Sequence, residues 1–314
     1  MKCNKIGIIN VRKEKGYTSH DVVAIIRKIF RDRVGHTGTL DPNATGVLPI
    51  CIGRATKLAD YFAAQDKAYT AEIIFGLRTD TLDIAGKVQD LEGAVPAPPQ
   101  GSEALLIPKL REIVAVAEGF KGEILQVPPM YSAVKVGGKK LYELARKGQV
   151  IERKPRRVVI HDLRVRREGE KFFLDVNCSK GTYIRSLCAD IGESLGCGAV
   201  MGDLVRTQSG KFFLRDAVTI DEIKAAAEKN ETDELIIPPD KLLHYPAAFV
   251  REEGLSMARN GNPLPVELVR EEPSPSLAPF REGEKFWLYA SDADGGLIGL
   301  FRAESGVFRA EVML

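Results

Sequence analysis

Residues 67–76 read KAYTAEIIFG, with Tyr69, Ala71, Ile73 and Phe75 at every second position. That alternation belongs to a strand with one face against a core, and a strand needs neighbours. FFLDVNC, residues 172–178, supplies a second strand signal. Helical spacing surrounds both. Thr18-Ser19-His20-Asp21 matches a capping box ahead of Val22, Val23, Ile25, Ile26, Ile29 and Phe30, so a helix runs to about Arg31. Arg54–Phe62 and residues 108–120 read as further helices, and Thr182–Leu195 carries Ile184, Leu187, Cys188, Ile191 and Leu195 in helical register. These elements interleave without a regular βαβ period, which favours an α+β domain over a doubly wound parallel sheet. Tyr69 points with the apolar set.

The pattern changes late in the 314 residues, a length that favours one large domain plus a smaller one. Polar residues and prolines interrupt it between Asn230 and Pro246, and KFWLYA, GLIGLFR and VFRAEVM then follow with a Gly-Gly turn. This is a small β-rich C-terminal domain, read as a compact barrel, with PSPSLAP (273–279) as a loop inside it. Composition is that of a soluble protein, and no apolar run approaches the ~20 residues of a membrane span. The N-terminal apolar stretch is too short and too soon interrupted for a secretory signal, so a cytoplasmic protein is expected. Five cysteines without a Cys-x-x-Cys pair, and four histidines without His-Glu-x-x-His spacing, argue against a zinc site or a disulfide framework.

The net charge of +2 says little, because affinity for a polyanion depends on where charges lie. Between Lys135 and Lys171 basic residues greatly outnumber acidic ones; Lys135, Lys139 and Lys140 stand near Tyr131 and Tyr142. Cations beside aromatic rings suit phosphates and unstacked bases of RNA. A solvated face is the simpler alternative.

Several polar positions carry two readings. GHTGTLDPNATGVLPI, residues 35–50, holds a lone Asp41 among small and turn-forming residues. Asp followed by Pro42 could open a short helix, or the carboxylate could serve chemistry. His36, flanked by Gly35 and Thr37-Gly38, reads as a residue of a mobile, exposed loop, either a ligand contact or a plain loop histidine. Ser179-Lys180-Gly181-Thr182 lacks the phosphate-loop frame, but it sits where a strand passes into a helix, so first-turn amides and Arg185 could face an anion. Arg185 could equally be a surface residue, and Tyr183 a core ring with its hydroxyl at the rim. The acids of Arg78-Thr79-Asp80-Thr81-Leu82-Asp83 could partner a basic residue or simply make a turn.

Taken together, these segments resemble one family. GHTGTLDPNATGVLPICIGRATK is similar to the signature of the TruB family of tRNA pseudouridine synthases. KAYTAEIIFGLRTDTLDIAG, VPPMYSAVKVGGKKLYELARKG, CSKGTYIRSLCADIGESLGCGA and LVRTQSG fall in the family's order, over roughly residues 13–215. ARNGNPLP and the strands after it resemble a PUA RNA-binding domain more loosely. The resemblance implies a mixed-sheet catalytic domain over 1–245, an RNA-clasping insertion at about 124–152, and a barrel-like PUA domain over 246–314.

It further implies an enzyme that converts uridine 55 in the T-loop of tRNA to pseudouridine without metal or organic cofactor. Asp41 would be the catalytic aspartate, Arg185 its ion-pair partner and Tyr69 the ring against the target base. Tyr183 and Leu204 would wall the pocket, and His36 would fill the space left by the flipped base. Asp83 would support the arginine, and Lys135, Lys139 and Lys140 would meet RNA. The partner expected is a T-stem-loop read by a monomer, with no guide RNA and no membrane. A non-catalytic RNA-binding protein or folding chaperone, and an N-glycosidase using Asp41 with Asp83, are the alternatives. One departure stands near the start: Lys13 is followed by Glu14 where the family usually has Pro.

Overall fold

The computed structural model describes residues 5–89, 107–271, 280–291 and 295–314; the PSPSLAP segment lies outside them. The chain opens with β1 (Gly7–Lys13), α1 (Ser19–Phe30), β2 (Val34–His36), β3 (Thr45–Ile52), α2 (Ala59–Ala63) and β4 (Lys67–Phe75). Next come α3 (Leu110–Glu118), β5 (Gly122–Gln126), β6 (Lys135–Val136), β7 (Lys139–Lys140), α4 (Leu141–Ala145), β8 (Arg156–Glu168) and β9 (Lys171–Cys178). α5 (Ile184–Ser194), β10 (Ala199–Ser209), β11 (Phe212–Phe213) and α6 (Ile220–Glu228) complete the large domain.

Its sheet runs β1-β3-β10-β4-β9-β8-β5, with β2 on β3 and β11 on β10. Every described pairing in it is antiparallel except β3 with β10, where Thr45 and Gly46 face Val205 and Arg206. α1, α3, α5 and α6 contribute to one continuous core with Ile9, Ile50, Ala71, Ile73, Leu174 and Val176 of the sheet. The α+β reading therefore holds. α1 starts where expected: the Asp21 amide donates to Thr18 Oγ1 at 3.1 Å and the Thr18 amide to Asp21 Oδ2 at 2.8 Å. Arg31 ends it in the left-handed region, at φ 53°.

Two readings change. The Arg54–Phe62 segment begins as a 3-10 helix (Gly53–Leu58) and becomes α-helical only at Ala59. Asp41 opens no helix: Asp41, Pro42, Asn43 and Ala44 form a turn closed by the Ala44 amide on Asp41 O at 3.0 Å, and β3 follows.

The C-terminal sheet contains β12 (Ala247–Val250), β13 (Leu264–Pro265), β14 (Val269–Glu271), β15 (Lys285–Ala290), β16 (Leu297–Glu304) and β17 (Val307–Met313); α7 (Leu255–Arg259) lies beside it. The order is β13-β17-β16-β15-β12-β14. The two edge strands are joined by a 3-10 turn at Val266–Leu268, so the sheet curls toward closure as a small barrel. KFWLYA, GLIGLFR and VFRAEVM all fall on its strands.

The two domains share a core. Ile8, Val47 and Cys51 on the back of β1 and β3 pack with Leu58, Phe62, Trp287, Leu300 and Val312. Burial on both faces explains why VLPICI reads as a continuous apolar run. The Trp287 indole donates to Leu243 O at 3.0 Å, satisfying its one polar atom inside this joint.

Gly46 marks the parallel seam. Its φ is 105°, and a Cβ there would lie 2.2 Å from the main-chain oxygen of Arg206. Gly46→Ala is expected to destabilise the protein by about 2–4 kcal/mol, through backbone strain and overpacking. Chemical denaturation checks this; an unchanged midpoint would contradict the contact.

Candidate active site

The seam between β3 and β10 is also where the chemistry-bearing side chains gather. Tyr69 on β4 pairs with Arg206 on β10, and Arg206 pairs with Gly46 on β3, so three strands place these residues in one row. Leu204, buried and opposite Ala71, lies two residues along on the same face. Asp41 sits in the turn that feeds β3.

Arg185 is the point of convergence. Its Nε lies 3.1 Å and its Nη2 3.4 Å from the two carboxylate oxygens of Asp41. Nη2 also donates to Tyr131 O at 2.8 Å, and Nη1 to Thr81 O at 3.2 Å. Three segments remote in sequence thus meet on one guanidinium, whose rigid fork suits such a clamp. The pair is asymmetric: the Arg185 side chain is 7% exposed and that of Asp41 41%. The carboxylate opens outward, ready to be covered by a ligand and not sealed beforehand.

The loop before Asp41 is held from several sides. Arg206, 2% exposed, donates from Nε to Val47 O at 2.7 Å and from Nη2 to Gly38 O at 3.0 Å. Ser19 brackets Leu40: its hydroxyl accepts the Leu40 amide at 2.9 Å and donates to Leu40 O at 3.2 Å. Beyond Asp41, the buried Lys13 ammonium donates to Pro42 O at 3.1 Å, Tyr17 O at 2.6 Å and Glu14 O at 3.1 Å. Glu14 is exposed and contributes only a main-chain oxygen, which a proline would also offer. The departure from the family pattern therefore leaves this anchor intact.

The aromatic groups have perturbed ionisation. Burial pushes the Tyr69 phenol up, against the pull of the Arg206 guanidinium, so it stays protonated at neutral pH. His36 is pushed down by burial, with His20 and Arg206 adding to the effect. The residue is not on an exposed loop: it ends β2 opposite Ile50, partly buried, and its ring meets His20 edge-on with centroids 5.6 Å apart. Tyr183 caps α5, and the buried Gln126 amide grips it twice: Tyr183 N donates to Oε1 at 2.8 Å and Nε2 donates to Tyr183 O at 3.1 Å.

Asp83 sits one step from where it was expected. Its Oδ1 accepts from Thr81 Oγ1 at 2.7 Å and from the Ala85 amide at 3.0 Å, while Arg185 is met by the Thr81 carbonyl. Asp83 shapes the turn that supports the arginine, and its carboxylate is not paired with Asp41.

The insertion folds around a small cluster of its own, Met130, Leu141 and Leu144. Gly137 and Gly138, at φ 58° and 82°, make the tight turn between β6 and β7 that only such residues adopt readily. Lys135 and Lys140 pair across this hairpin and Lys139 is exposed beside them. Lys140 and Arg146 each lie 5.4 Å from the Tyr142 ring centroid. Downstream the basic run is neutralised in part: Arg157 pairs with Glu123, Arg164 with Asp162, Arg166 with Asp175 and Lys171 with Glu72, while Lys154 and Arg156 are exposed without an ion pair among the described residues. The paired part is a solvated face of β8, and the hairpin lysines form no ion pair among the described residues.

Sequence reasoning did not single out Arg206, Ser19 or Gln126. For Arg206 a signal existed, since period-two spacing from Leu204 puts it on the pocket face. Ser19 was taken only as part of the capping box, and nothing around Gln126 marks it. Among the described residues no group of three or more His, Cys, Asp or Glu is placed to hold a metal ion. Cys51, Cys178, Cys188 and Cys197 are buried and free.

Lys13 yields a pH prediction. Burial pushes its ammonium down to about 8 from an ordinary 10.5, with Asp41 pulling the other way. Between those two values the unfolded chain binds a proton that the folded protein lacks. Stability from this group therefore grows as pH rises through that window, by at most about 1.4 kcal/mol per pH unit, and is lost as pH falls through 8. Lys13→Met removes the effect, so the wild-type protein should gain stability relative to the variant from pH 8 to 10. Denaturant unfolding across that range checks it, and a pH-independent difference would contradict the lowered value.

Comparison with known proteins places this geometry. Residues 27–184 match the TruB family pseudouridylate synthase (N terminal domain), and residues 185–244 the tRNA pseudouridylate synthase B C-terminal domain. The chain is 46% identical over 259 residues to tRNA pseudouridine synthase B of Alkaliphilus oremlandii, covering 82% of each chain. It is 42% identical over 305 residues to the Moorella thermoacetica protein of that name, covering 95% of this chain and 94% of the other. Among solved structures, a chain of a Cbf5-Nop10-Gar1 complex superposes with a TM-score of 0.68 at 26% identity, over 99% of this chain and 85% of that one. With family models matched over residues 27–244 and relatives 42–46% identical over most of its length, the chain belongs to the TruB family of pseudouridylate synthases.

Proposed function

We infer that the protein isomerises uridine 55 in the T-loop of tRNA to pseudouridine, with Asp41 as the catalytic carboxylate. The observation that carries this reading is the outward-facing carboxylate of Asp41, doubly held by a buried Arg185, in the turn that feeds β3 next to the β10–β4 pair carrying Leu204 and Tyr69. The relatives that share 42–46% of their residues with this chain are named for the same reaction on tRNA.

Isomerisation breaks the bond from C1′ to N1, turns the base, forms C1′ to C5, and moves the C5 proton so that N1 ends protonated. Nothing is released. An ionised carboxylate serves each available first step: attack at C1′, attack at C6, or removal of a sugar proton. Arg185 fixes its two oxygens, and the RNA that covers it excludes water, which strengthens their attraction.

The target base must first leave its stack, at a cost of a few kcal/mol. Tyr69 offers a ring for it, and a neutral His36 fits the gap it leaves. Stacking on a ring is worth about 1–3 kcal/mol per base, which matches that cost. Tyr183 and Leu204 wall the pocket, Asp83 shapes the turn under Arg185, and Lys135, Lys139 and Lys140 meet backbone phosphates as the insertion closes.

The same reading takes residues 246–314 as a PUA-like RNA-binding domain, supported by the curled six-stranded sheet. It takes the protein as a cytoplasmic monomer that needs no guide RNA. The higher identity to proteins named for tRNA than to the Cbf5-complex chain favours guide-free action. No helix among the described residues is long and apolar enough to cross a membrane.

The test is incubation of purified protein with unmodified tRNA transcript, followed by mapping of pseudouridine by position and assay for free uracil. Modification at the T-loop uridine without uracil release is expected; release would instead indicate a glycosidase. Asp41→Asn should lower turnover by at least about 10³-fold while RNA affinity stays within about threefold. Near-normal turnover by that variant would refute the assignment.

A further inference from the structure

A cleft of about 1280 Å³ opens where the large domain meets the C-terminal sheet. Its walls come from the start of β1, the end of α1, β2 and the 3-10 turn after β3, and from Arg259, Asn260 and Met313 across the joint. Seven Lys or Arg side chains line it against a single acid, Asp32. Small-molecule sites are mostly apolar and span about 300–1,000 Å³. This one is larger and open, and seven of its fifteen lining residues are cations, which suits the backbone of a polyanion.

Most of that charge is uncompensated by neighbouring acids. Lys5 pairs with Asp233. Arg27 and Lys57 donate to the main-chain oxygens of Val34 and Met313, contacts that fix the side chains and leave them positive, while Arg54 donates to an oxygen of Leu314. Arg31 and Arg33 are exposed and form no ion pair among the described residues. Arg31 holds φ 53° at the cap of α1, a position where Gly or Asn is the usual choice. Its presence there exchanges helix-cap stability for a cation at the edge of the cleft.

The cleft borders the strand that carries His36. Val34 and Gly35 of β2 line it, and His36 is the next residue of that strand, about 3.3 Å further on. Its walls are preformed, because the apolar core beneath them is shared by both domains.

We propose that this cleft receives the phosphate backbone of tRNA outside the T-loop, while the loop itself engages His36 and Asp41. The proposal rests on reading the site as a tRNA uridine isomerase.

The experiment compares Arg31→Gly, Arg33→Gln and the double variant with wild type, on full-length tRNA transcript and on a minimal stem-loop holding only the T-loop and its closing pairs. Arg31→Gly relieves the positive φ, so its thermal midpoint should equal or exceed that of wild type. The double variant should raise KM for tRNA about tenfold near 0.15 M salt, and reduce the slope of log KM against log salt by about one to two. KM for the minimal stem-loop should stay within about twofold. Unchanged KM and slope on tRNA would overturn the proposal, as would an equal rise on both substrates, which would put the contact at the loop. Wild-type protein inactive on both RNAs would instead overturn the reading of the active site itself.

Discussion

Arg185 carries the architecture of the site. One buried guanidinium binds a carboxylate from the turn before β3, a carbonyl from the loop after β4 and a carbonyl from the stalk of the insertion. Truncating it would strip the Thr81 and Tyr131 carbonyls of their donor, at about 1–3 kcal/mol for an acceptor left dry, while the half-exposed Asp41 carboxylate would turn to water. The residue therefore works as a structural keystone before it works on substrate. Because its third partner is Tyr131, any movement of the insertion is felt at the atom pair that holds Asp41.

Asp41 needs the opposite treatment from its partner. A carboxylate that must reach a nucleoside cannot be walled in, so the fold immobilises its backbone and leaves its oxygens accessible. Ser19, Arg206 and Lys13 do this through main-chain oxygens and an amide, none of which consumes the Asp41 side chain. Two of the three are cations with no exposed surface to speak of. Burying them costs free energy, visible in the depressed Lys13 ammonium, and the protein accepts that cost where positional precision is required.

How much of this could be read from the chain depends on the range of the interaction. Local signals were legible: the Thr18 capping box, the alternation around Tyr69, and the strands of the C-terminal sheet. Asp41, Tyr69 and Arg185 are singled out by the family resemblance, not by periodicity. Asp41 was open to reading as a helix cap because Asp-Pro supports that locally, and only the demand of β3 for a turn decides against it. Arg206 and Gln126 were passed over because their partners lie up to 168 residues away, across strand pairings that no window of sequence displays. The basic run was overread downstream for the same reason: its acids, Glu123 and Asp175, sit on neighbouring strands.

The two regions proposed to face RNA differ in how they are built, and the difference bears on that proposal. The insertion has only a three-residue buried cluster of its own and touches the rest through main-chain contacts such as that of Tyr131. Few buried apolar contacts mean low local stability, which suits an element that rearranges around its ligand. The cleft beside the C-terminal sheet stands on the shared core of Trp287, Phe62 and Val47 and has little freedom to adapt. On the reading proposed above, the rigid cationic wall would meet an RNA of the right shape without ordering cost, and the hairpin would be the element that adapts to it.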